Sequence, residues 1–245
     1  MRRIVIKIAN VVIEIQANYY RTFKICQEFQ TKEQPNIAVN CCSQDYEQEE
    51  EAYVKEFNSL APSRVYLEVN SILRKISDQM IDYNCFLIHG AAIAIGNRAF
   101  LFSAPSGTGK TTHILKWMDN CPEAYIINGD KPFIRFFDDK TVPEICGSPW
   151  AGKENLYSNS IVPLNAIIFM ERAEENSIYK ITFSQAFPYL YQQVHRPYDS
   201  RQMIKTLQLI KRLEPEVSFY LFKFNNFKDN CFEIAYNTLV ANIDI

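Results

Sequence analysis

The stretch that decides the fold is residues 100–112, which read FLFSAPSGTGKTT. An apolar run at Phe100–Phe102 is followed by a loop with two glycines and then by apolar residues at helical spacing, Ile114, Leu115 and Met118. A strand, a glycine-bearing loop and a helix in this order are the context that a phosphate-binding loop requires. The motif fits G-x-x-x-x-G-K-[ST], except that Ala104 replaces the first glycine. The sequence therefore predicts a Walker A loop.

Each residue type in this loop has a chemical reason. Gly107 and Gly109 permit backbone conformations that bring consecutive N–H groups toward phosphate oxygens, and a helix that begins near Lys110 adds its positive dipole end. Lys110 is expected to reach the β- and γ-phosphates of ATP, and the Thr111 hydroxyl to bind Mg²⁺. The predicted nucleotide-binding residues are Pro105, Ser106, Gly107, Thr108, Gly109, Lys110, Thr111 and Thr112.

The alternative to a phosphate site is a tight strand-to-helix turn with a surface lysine. At average glycine usage, Gly-Lys-Ser/Thr occurs by chance in roughly one chain in ten of this length, and a preceding Ser-Gly lowers that to about one in a thousand. All seven glycines lie between Gly90 and Gly152. The centre of the chain is therefore the expected site, and its flanks are the expected scaffold.

An acidic residue near the metal is the next requirement. Residues 124–130 read AYIINGD, an apolar run that delivers Asp130 at its carboxyl end, where ligands collect in α/β sheets. An isolated aspartate after a strand is usually a turn residue. Its position 19 residues after Thr111, with a helix between, favours Asp130 as a metal ligand or catalytic group.

The remaining pattern predicts a mixed α/β chain. Alternating apolar residues predict two strands at the start, the acidic run Glu47–Glu51 suggests a solvated helix face or linker, and a 3.6-residue stripe from Val65 to Ile81 predicts a helix. Further predicted elements are strands at 86–95, 98–103, 124–128 and 166–170, a hairpin of 133–137 with 142–146, helices at 184–194 and 201–213, a strand around 217–221 and a closing helix from about Asp229.

Composition excludes several classes of function. The 245 residues carry 26 Lys and Arg against 28 Asp and Glu, without a basic stripe, so a nucleic-acid partner is not expected. His89, Asn97 and Arg98 interrupt the longest apolar stretch, so no membrane span is expected. Seven cysteines without zinc spacing are expected to be reduced thiols in a cytoplasmic protein. The sequence leaves open whether the protein is a homo-oligomer.

In these residues and their spacing, the chain resembles the HPr kinase and phosphoenolpyruvate carboxykinase type of P-loop protein. It looks most like the compact HPr-kinase-like proteins of Firmicutes, many of them associated with ribosomally made, modified peptides. The likeness covers about residues 60–240. The segments that carry it are LIHGAA (87–92), SGTGKTT (106–112), INGDKP (127–132), GSPWAGK (147–153), EEN (174–176), QQVHRP (192–197) and FNN (224–226).

The resemblance implies a mixed-sheet P-loop kinase core at 61–245 with a small N-terminal β/α extension at 1–60. It implies transfer of the γ-phosphoryl group of ATP to a serine hydroxyl on a peptide, a protein or free serine. His89 matches the histidine that precedes the P-loop hairpin of HPr kinases. Lys153 and Arg196 are cationic candidates for contact with the transferring phosphoryl group, a charge that this reaction needs, although each could be an ordinary surface residue.

Two departures from the family pattern bear on this prediction. Gly129-Asp130-Lys131 stands where HPr kinases and carboxykinases have paired aspartates, so a single carboxylate must hold the metal, accept the substrate proton, or share these tasks. No segment matches the one that gives HPr kinases their dephosphorylating activity, and that activity is not predicted. The competing hypothesis is a nucleotide-binding accessory ATPase or regulator without transferase activity. The identity of the acceptor and the role of residues 1–60 stay open.

Overall fold

A computed structural model describes residues 2–225 and 230–241. Contacts divide the chain into two compact units, Met1–Tyr83 and Asn84–Ile245. The sequence predicted a division near residue 60. The difference concerns the predicted helix after Pro62-Ser63, which the contacts group with the first unit. Within the described residues no helix is both long and apolar enough to cross a bilayer.

The first unit has a three-stranded sheet of β1 (Arg2–Ile8), β2 (Val11–Ala17) and β3 (Ile37–Asn40), in that order. β1 and β2 are antiparallel and turn at Ala9-Asn10, where both residues have positive φ, as a tight hairpin requires. β3 is parallel to β2. Alternate isoleucines of the two long strands are buried, which confirms the predicted alternation.

Three helices complete this unit: α1 (Tyr20–Cys26), α2 (Ser43–Phe57) and α3 (Arg64–Met80). The acidic run lies in α2, and α3 is the predicted amphipathic helix. Glu68 of α3 is fully buried, and its carboxylate accepts from the backbone N–H groups of Asn18 and Tyr19 and from the hydroxyls of Thr22 and Tyr46. A buried charge is tolerated when it is hydrogen-bonded in this way, and here it fixes the start of α1.

The second unit is a mixed α/β layer structure. Its strands are β4 (Cys85–Leu87), β5 (Ala91–Ile95), β6 (Arg98–Ser103), β7 (Ala124–Asn128), β8 (Phe133–Arg135), β9 (Glu144–Cys146), β10 (Ile161–Arg172), β11 (Ser177–Ile181) and β12 (Ser218–Phe224). Its helices are α4 (Lys110–Asn120), α5 (Phe183–Gln193), α6 (Ser200–Arg212) and α7 (Cys231–Tyr236), followed by a π-helical turn at Asn237–Ala241. The predicted start of the closing helix and Asn226 of the FNN segment lie outside the described residues.

Strand direction decides which loops meet. The strands lie in the order β4-β8-β9-β10-β6-β5-β7, and β12 joins β10 and β11. β6, β10 and β12 are mutually parallel, whereas β5 is antiparallel to both β6 and β7. β7 therefore runs in the same direction as β6. Consequently the carboxyl ends of β6, β7, β10 and β12 all lie at one edge of the sheet, where α/β proteins place their ligands.

One predicted strand, residues 86–95, is wrong as a continuous element. The structure has β4 and β5 with a break at Ile88–Gly90, because the chain changes partner there: β4 pairs with β8, and β5 pairs with β6. In the break the His89 N–H donates to the Gln193 carbonyl and the Gly90 N–H to the Asp130 carbonyl. A Cβ on Gly90 would lie 2.7 Å from Leu101 Cδ1 and 3.0 Å from the Phe102 carbonyl oxygen, so a larger residue here would require these neighbours to move.

An aromatic core lies between this sheet and helices α4 and α7. Phe100, Phe102, Trp117 and Phe222 are almost completely buried in it. His113, also fully buried, accepts a hydrogen bond from the Trp117 indole at 3.0 Å, and burial lowers its pKa to about 3. This histidine is therefore a neutral part of the core, in agreement with a structural role.

Candidate active site

The predicted phosphate-binding loop links the carboxyl end of β6 to α4, which begins at Lys110 as predicted. Gly107 and Gly109 have φ of +76° and +118°, in the region that glycine adopts without strain. Ala104 is buried and has no positive φ, so the first glycine of the usual motif is not needed here. The Thr108 hydroxyl donates to the Pro105 carbonyl at 2.8 Å and closes the turn.

Lys110, the one lysine of this loop, is largely buried. Its side chain is only 7% exposed, and its ammonium donates to the Ala104 carbonyl at 2.8 Å and to the Pro105 carbonyl at 3.3 Å. Burial lowers the pKa of Lys110 to about 8, although the charge of Asp130 acts in the opposite direction. A cation kept away from water beside a helix N-terminus gains strongly from an anionic partner.

Asp130 lies two residues beyond β7 at the same edge of the sheet. One carboxylate oxygen is 3.2 Å from Nε2 of His89, and the other is 3.2 Å from Nζ of Lys131. Burial alone would raise the pKa of the Asp130 carboxyl, but the His89 hydrogen bond and the Lys131 charge outweigh it and lower the pKa to about 2. Asp130 is therefore ionised at every physiological pH.

His89 is held from three directions. Its Nδ1 lies 2.9 Å from Oε1 of Gln193, its backbone N–H donates to the Gln193 carbonyl, and its own carbonyl accepts from the Ser103 hydroxyl at 2.8 Å. Burial lowers the pKa of His89, and the hydrogen bond to Asp130 opposes this without cancelling it. The imidazole is therefore mainly neutral at pH 7 and carries a single N–H. That proton belongs on Nε2, facing the Asp130 carboxylate, which can only accept, and Nδ1 is then an acceptor for the NH2 group of the Gln193 amide once that amide is rotated by 180°.

The turn that presents Asp130 is built by Asn128. Its side-chain oxygen accepts the backbone N–H groups of Asp130 and Lys131 at 2.8 and 2.7 Å, and its side-chain nitrogen donates to the Ser148 carbonyl. The Ser148 hydroxyl in turn donates to the Lys131 carbonyl at 2.6 Å. These four hydrogen bonds hold the backbone of Asp130 and Lys131, and this sets the direction in which the Asp130 side chain leaves the chain.

The segment 147–156 packs against this turn. The Gly129 N–H donates to the Leu156 carbonyl, and a Cβ on Gly152 would lie 3.2 Å from Cβ of Asp130. Trp150 is only 6% exposed, and its backbone N–H donates to the Ser148 hydroxyl. In this structure Trp150 is therefore a packing residue.

The structure brings some of the predicted site residues together and leaves others at the surface. His89, Lys110 and Asp130 meet at the sheet edge, and Lys110 and Asp130 influence each other's charge. Thr111 and Thr112 open α4 beside Lys110, while Pro105, Ser106 and Gly107 form the exposed side of the loop.

Lys153 is exposed in the segment 147–156. Arg196 is also exposed, and its guanidinium lies over the Tyr191 ring at 5.3 Å.

Three residues of this arrangement were not predicted as site residues. Lys131 pairs with Asp130, Gln193 holds His89, and Arg172, the last residue of β10, donates to carbonyls of the phosphate-binding loop. The available signal for Arg172 was its position directly after a buried apolar run, the same signal that identified Asp130. Gln193 lies in the QQVHRP segment, but nothing in the sequence pairs it with His89.

The donor set suits a nucleotide with Mg²⁺ better than a metal held by protein alone. Among residues 2–225 and 230–241 no three His, Cys, Asp or Glu side chains form a metal-binding group. Mg²⁺ that bridges phosphates needs only one or two protein ligands, and the Thr111 hydroxyl and the Asp130 carboxylate are of the required type. The left-handed glycines and the buried Lys110 ammonium suit the phosphates.

Comparisons with solved structures find a weak likeness. No protein-family model matches the chain, and no curated protein matches it in sequence. Among solved structures, the HPr(Ser) kinase/phosphatase from Coxiella burnetii is similar, with 11% identity, a TM-score of 0.39, and coverage of 64% of this chain and 88% of that chain. A likeness of this size carries no argument about activity, so the functional conclusion depends on the site geometry.

Proposed function

We propose that this chain is an ATP-dependent kinase that transfers the γ-phosphoryl group to a serine hydroxyl of a peptide, a protein or free serine. The observation that carries the proposal is the meeting of Lys110, in a loop with two left-handed glycines, with the Asp130–His89 pair at one sheet edge. A nucleotide-binding module would need only the loop. The charged pair beside it supports chemistry on the bound phosphates.

The roles follow from the charges. Backbone N–H groups of the loop and the Lys110 ammonium would bind the β- and γ-phosphates, and Thr111 and Asp130 would hold Mg²⁺, which supplies charge neutralisation. The acceptor oxygen forms a bond to the γ-phosphorus while the bond to the β-phosphate oxygen breaks. The hydroxyl proton would pass to a carboxylate oxygen of Asp130 and then to water, while the Nε2–H of His89 keeps that carboxylate in place. Lys153 and Arg196 are proposed to contact the acceptor or its phosphate.

One observation favours the second candidate, an accessory ATPase or regulator in a peptide-modification pathway. The Asp130 carboxyl, with a pKa of about 2, is a weak proton acceptor, and both of its oxygens already have cationic or N–H partners. Such a site could bind ATP without passing phosphate to an acceptor. Phosphoryl transfer is mostly positioning and charge neutralisation, so a weak base does not by itself abolish it.

Mass spectrometry separates the two candidates. The protein is incubated with Mg-ATP and either free serine or a set of serine peptides, and products are examined for added phosphate while ADP release is measured. A kinase gives phosphoserine products and ADP release that depends on the hydroxyl. ADP release without any phosphorylated acceptor favours the accessory ATPase.

The Lys110→Ala variant tests whether the loop binds the phosphates of ATP. We expect it to weaken ATP binding by about 30-fold or more, because it removes a buried charge that pairs with phosphate. Lys180→Ala removes an exposed lysine from β11 and is the control. Equal ATP affinity in the Lys110→Ala protein and the wild type would contradict the proposal.

A further inference from the structure

Arg172 ends β10 at the same sheet edge as the loop, and its side chain turns onto that loop. Its Nη2 donates to the Gly107 carbonyl at 2.6 Å, and its Nε donates to the Thr108 carbonyl at 3.2 Å. These are two consecutive carbonyls at the tip of the loop. A planar guanidinium with donors in a fixed fork can hold such a pair in one orientation, which an ammonium cannot do.

Holding these carbonyls also orients the N–H groups that face the opposite way. A trans peptide group is planar, so its C=O and N–H point in opposite directions. The Gly107 carbonyl shares a peptide plane with the Thr108 N–H, and the Thr108 carbonyl shares one with the Gly109 N–H. By binding the two oxygens, Arg172 therefore directs two consecutive N–H donors away from itself, and its positive charge polarises both peptide groups.

The loop needs this outside support because its own backbone is permissive. Gly107 and Gly109 flank Thr108 with positive φ, and nothing lies within 4 Å of a Cβ built on Gly107. The Thr108 N–H has only a long contact, 3.4 Å, to the Pro105 carbonyl. Glycines lose more conformational entropy than other residues on becoming ordered, so fixing this tip in advance lowers the cost of binding an anion.

The surroundings of Arg172 argue against a purely structural role for its side chain. Its side chain is exposed, and within the described residues it has no ion pair with a carboxylate. Both of its hydrogen bonds go to the loop, 64 and 65 residues away in sequence. Removing an exposed side chain of this kind usually changes stability little.

We propose that Arg172 is a positioning residue for nucleotide binding, which acts by holding the 107–108 and 108–109 peptide planes with their N–H groups toward the phosphates. This inference rests on the proposed function, since it assumes that the loop binds a nucleotide. Arg172 lies outside the loop motif, and its expected effect is on the affinity of the loop for phosphate.

The test is Arg172→Met with Arg201→Met as control, an exposed arginine in the first turn of α6. Dissociation constants for ATP, ADP and inorganic tripolyphosphate are measured by calorimetry, and the melting temperature is recorded. We expect Arg172→Met to weaken all three ligands by about tenfold with an unchanged melting temperature, because the oriented N–H groups bind phosphate and not adenine. The control keeps wild-type affinity. Wild-type affinity in Arg172→Met would overturn the inference.

Arg172→Lys separates geometry from charge and serves if the methionine variant does not fold. It keeps the positive charge but cannot bind both carbonyls with a rigid fork, so we expect weakened binding of all three ligands. Full wild-type affinity with lysine would show that charge alone acts and would refute the positioning role. If the wild type itself binds no nucleotide, the proposed function fails together with this inference, whereas wild-type binding with unaffected variants refutes the inference alone.

Discussion

At the scale of single residues, Asp130 is the negatively charged group among the cations of the site. Its two oxygens lie at equal distances, 3.2 Å, from the His89 imidazole and the Lys131 ammonium. With Lys110 also within electrostatic reach, one carboxylate faces two ammonium groups. The resulting positive excess suits a polyphosphate, and the carboxylate is the only acidic group in this set that could take part in the transfer.

Asp130→Asn is expected to separate transfer from binding. The amide preserves the shape of the side chain but removes the negative charge, so phosphoryl transfer should fall by about 100-fold or more, in the range of a lost catalytic group. ATP affinity should change much less, since the loop and Lys110 are intact. The measurements are the transfer rate at saturating ATP and the dissociation constant of ATP, with Asp119→Asn on the exposed side of α4 as control. Equal losses of transfer and binding would instead favour a purely structural carboxylate.

The Lys110 ammonium makes ATP affinity depend on pH. Burial places the pKa of Lys110 at about 8 in the nucleotide-free protein, and only the protonated form attracts phosphate. Affinity should therefore be constant from pH 7 to about 8 and then fall up to about tenfold per pH unit, until the higher pKa of the bound state is reached. Calorimetry with Mg-ATP from pH 7 to 10 tests this, because a phosphate with a second pKa of about 6 is already mostly ionised at pH 7 and its charge changes little above that pH. A flat profile up to pH 10 would argue against a desolvated lysine.

Which site residues the sequence can predict depends on how local their partners are. Lys110 and Thr111 belong to a continuous motif, and Asp130 directly follows an apolar strand, so spacing alone identifies them. The contact of His89 with Gln193 joins residues 104 positions apart, and that of Arg172 with Thr108 joins residues 64 apart. These pairs depend on strand order, which no single segment contains.

At the scale of elements, the segment 147–156 and strand β7 together define the position of Asp130. The Ser158 N–H donates to the Ile127 carbonyl, and the Gly147 N–H donates to the Ser160 carbonyl, so chain on both sides of the segment is bonded in place. The close approach depends on glycine, since a Cβ on Gly147 would lie 1.8 Å from the Ser158 carbonyl oxygen and 3.1 Å from that of Ile127.

Gly147→Ala is therefore expected to destabilise the protein strongly. Both obstructing atoms are backbone, so the strand and the segment must move apart, at a cost of about 3 kcal/mol. Urea denaturation measures the loss, and transfer activity should fall with it because the support of Asp130 is displaced. Gly96→Ala is the control: Gly96, unlike Gly147, has a positive φ, and nothing lies within 4 Å of its Cβ, so only about 1 kcal/mol of backbone strain is expected. Similar costs for the two variants would contradict the steric argument.

Periodicity predicts whether a segment is a helix or a strand, but it does not predict which strands pair. The hairpin of β8 with β9 and the helices α4, α5 and α6 agree with the predicted segments to within a few residues. Residues 86–95 have continuous strand character, and only the change of pairing partner at Ile88–Gly90 divides them. The short edge strand β11 was not predicted, because its exposed face resembles a loop in composition.

At the scale of the whole molecule, the chain has two separately cored units. The first is centred on the buried isoleucines of β1 and β2, and the second on the aromatic cluster around Trp117. The apolar stripe of α3 indicates that one face of this helix is buried, but a stripe does not specify the sheet on which that face packs. Contacts place α3 with β2, β3 and α2 in the first unit, whereas every residue of the candidate site lies in the second.

This division predicts that a nucleotide stabilises one unit selectively. A ligand that binds only the folded state adds about 2.7 kcal/mol at a concentration of 100 times its dissociation constant, which corresponds to about 100-fold slower exchange of amides that open only by unfolding of that unit. Hydrogen exchange with mass spectrometry, with and without Mg-ATP, should show this slowing in β6 and β10 and no change in β1 and β2. At the same nucleotide concentration, Lys110→Ala should reduce the slowing to about fourfold or less, because its affinity is at least about 30-fold lower. Equal slowing in both units would mean that they unfold as one cooperative body, since a ligand of the second unit can protect amides of the first only if the two lose their structure together.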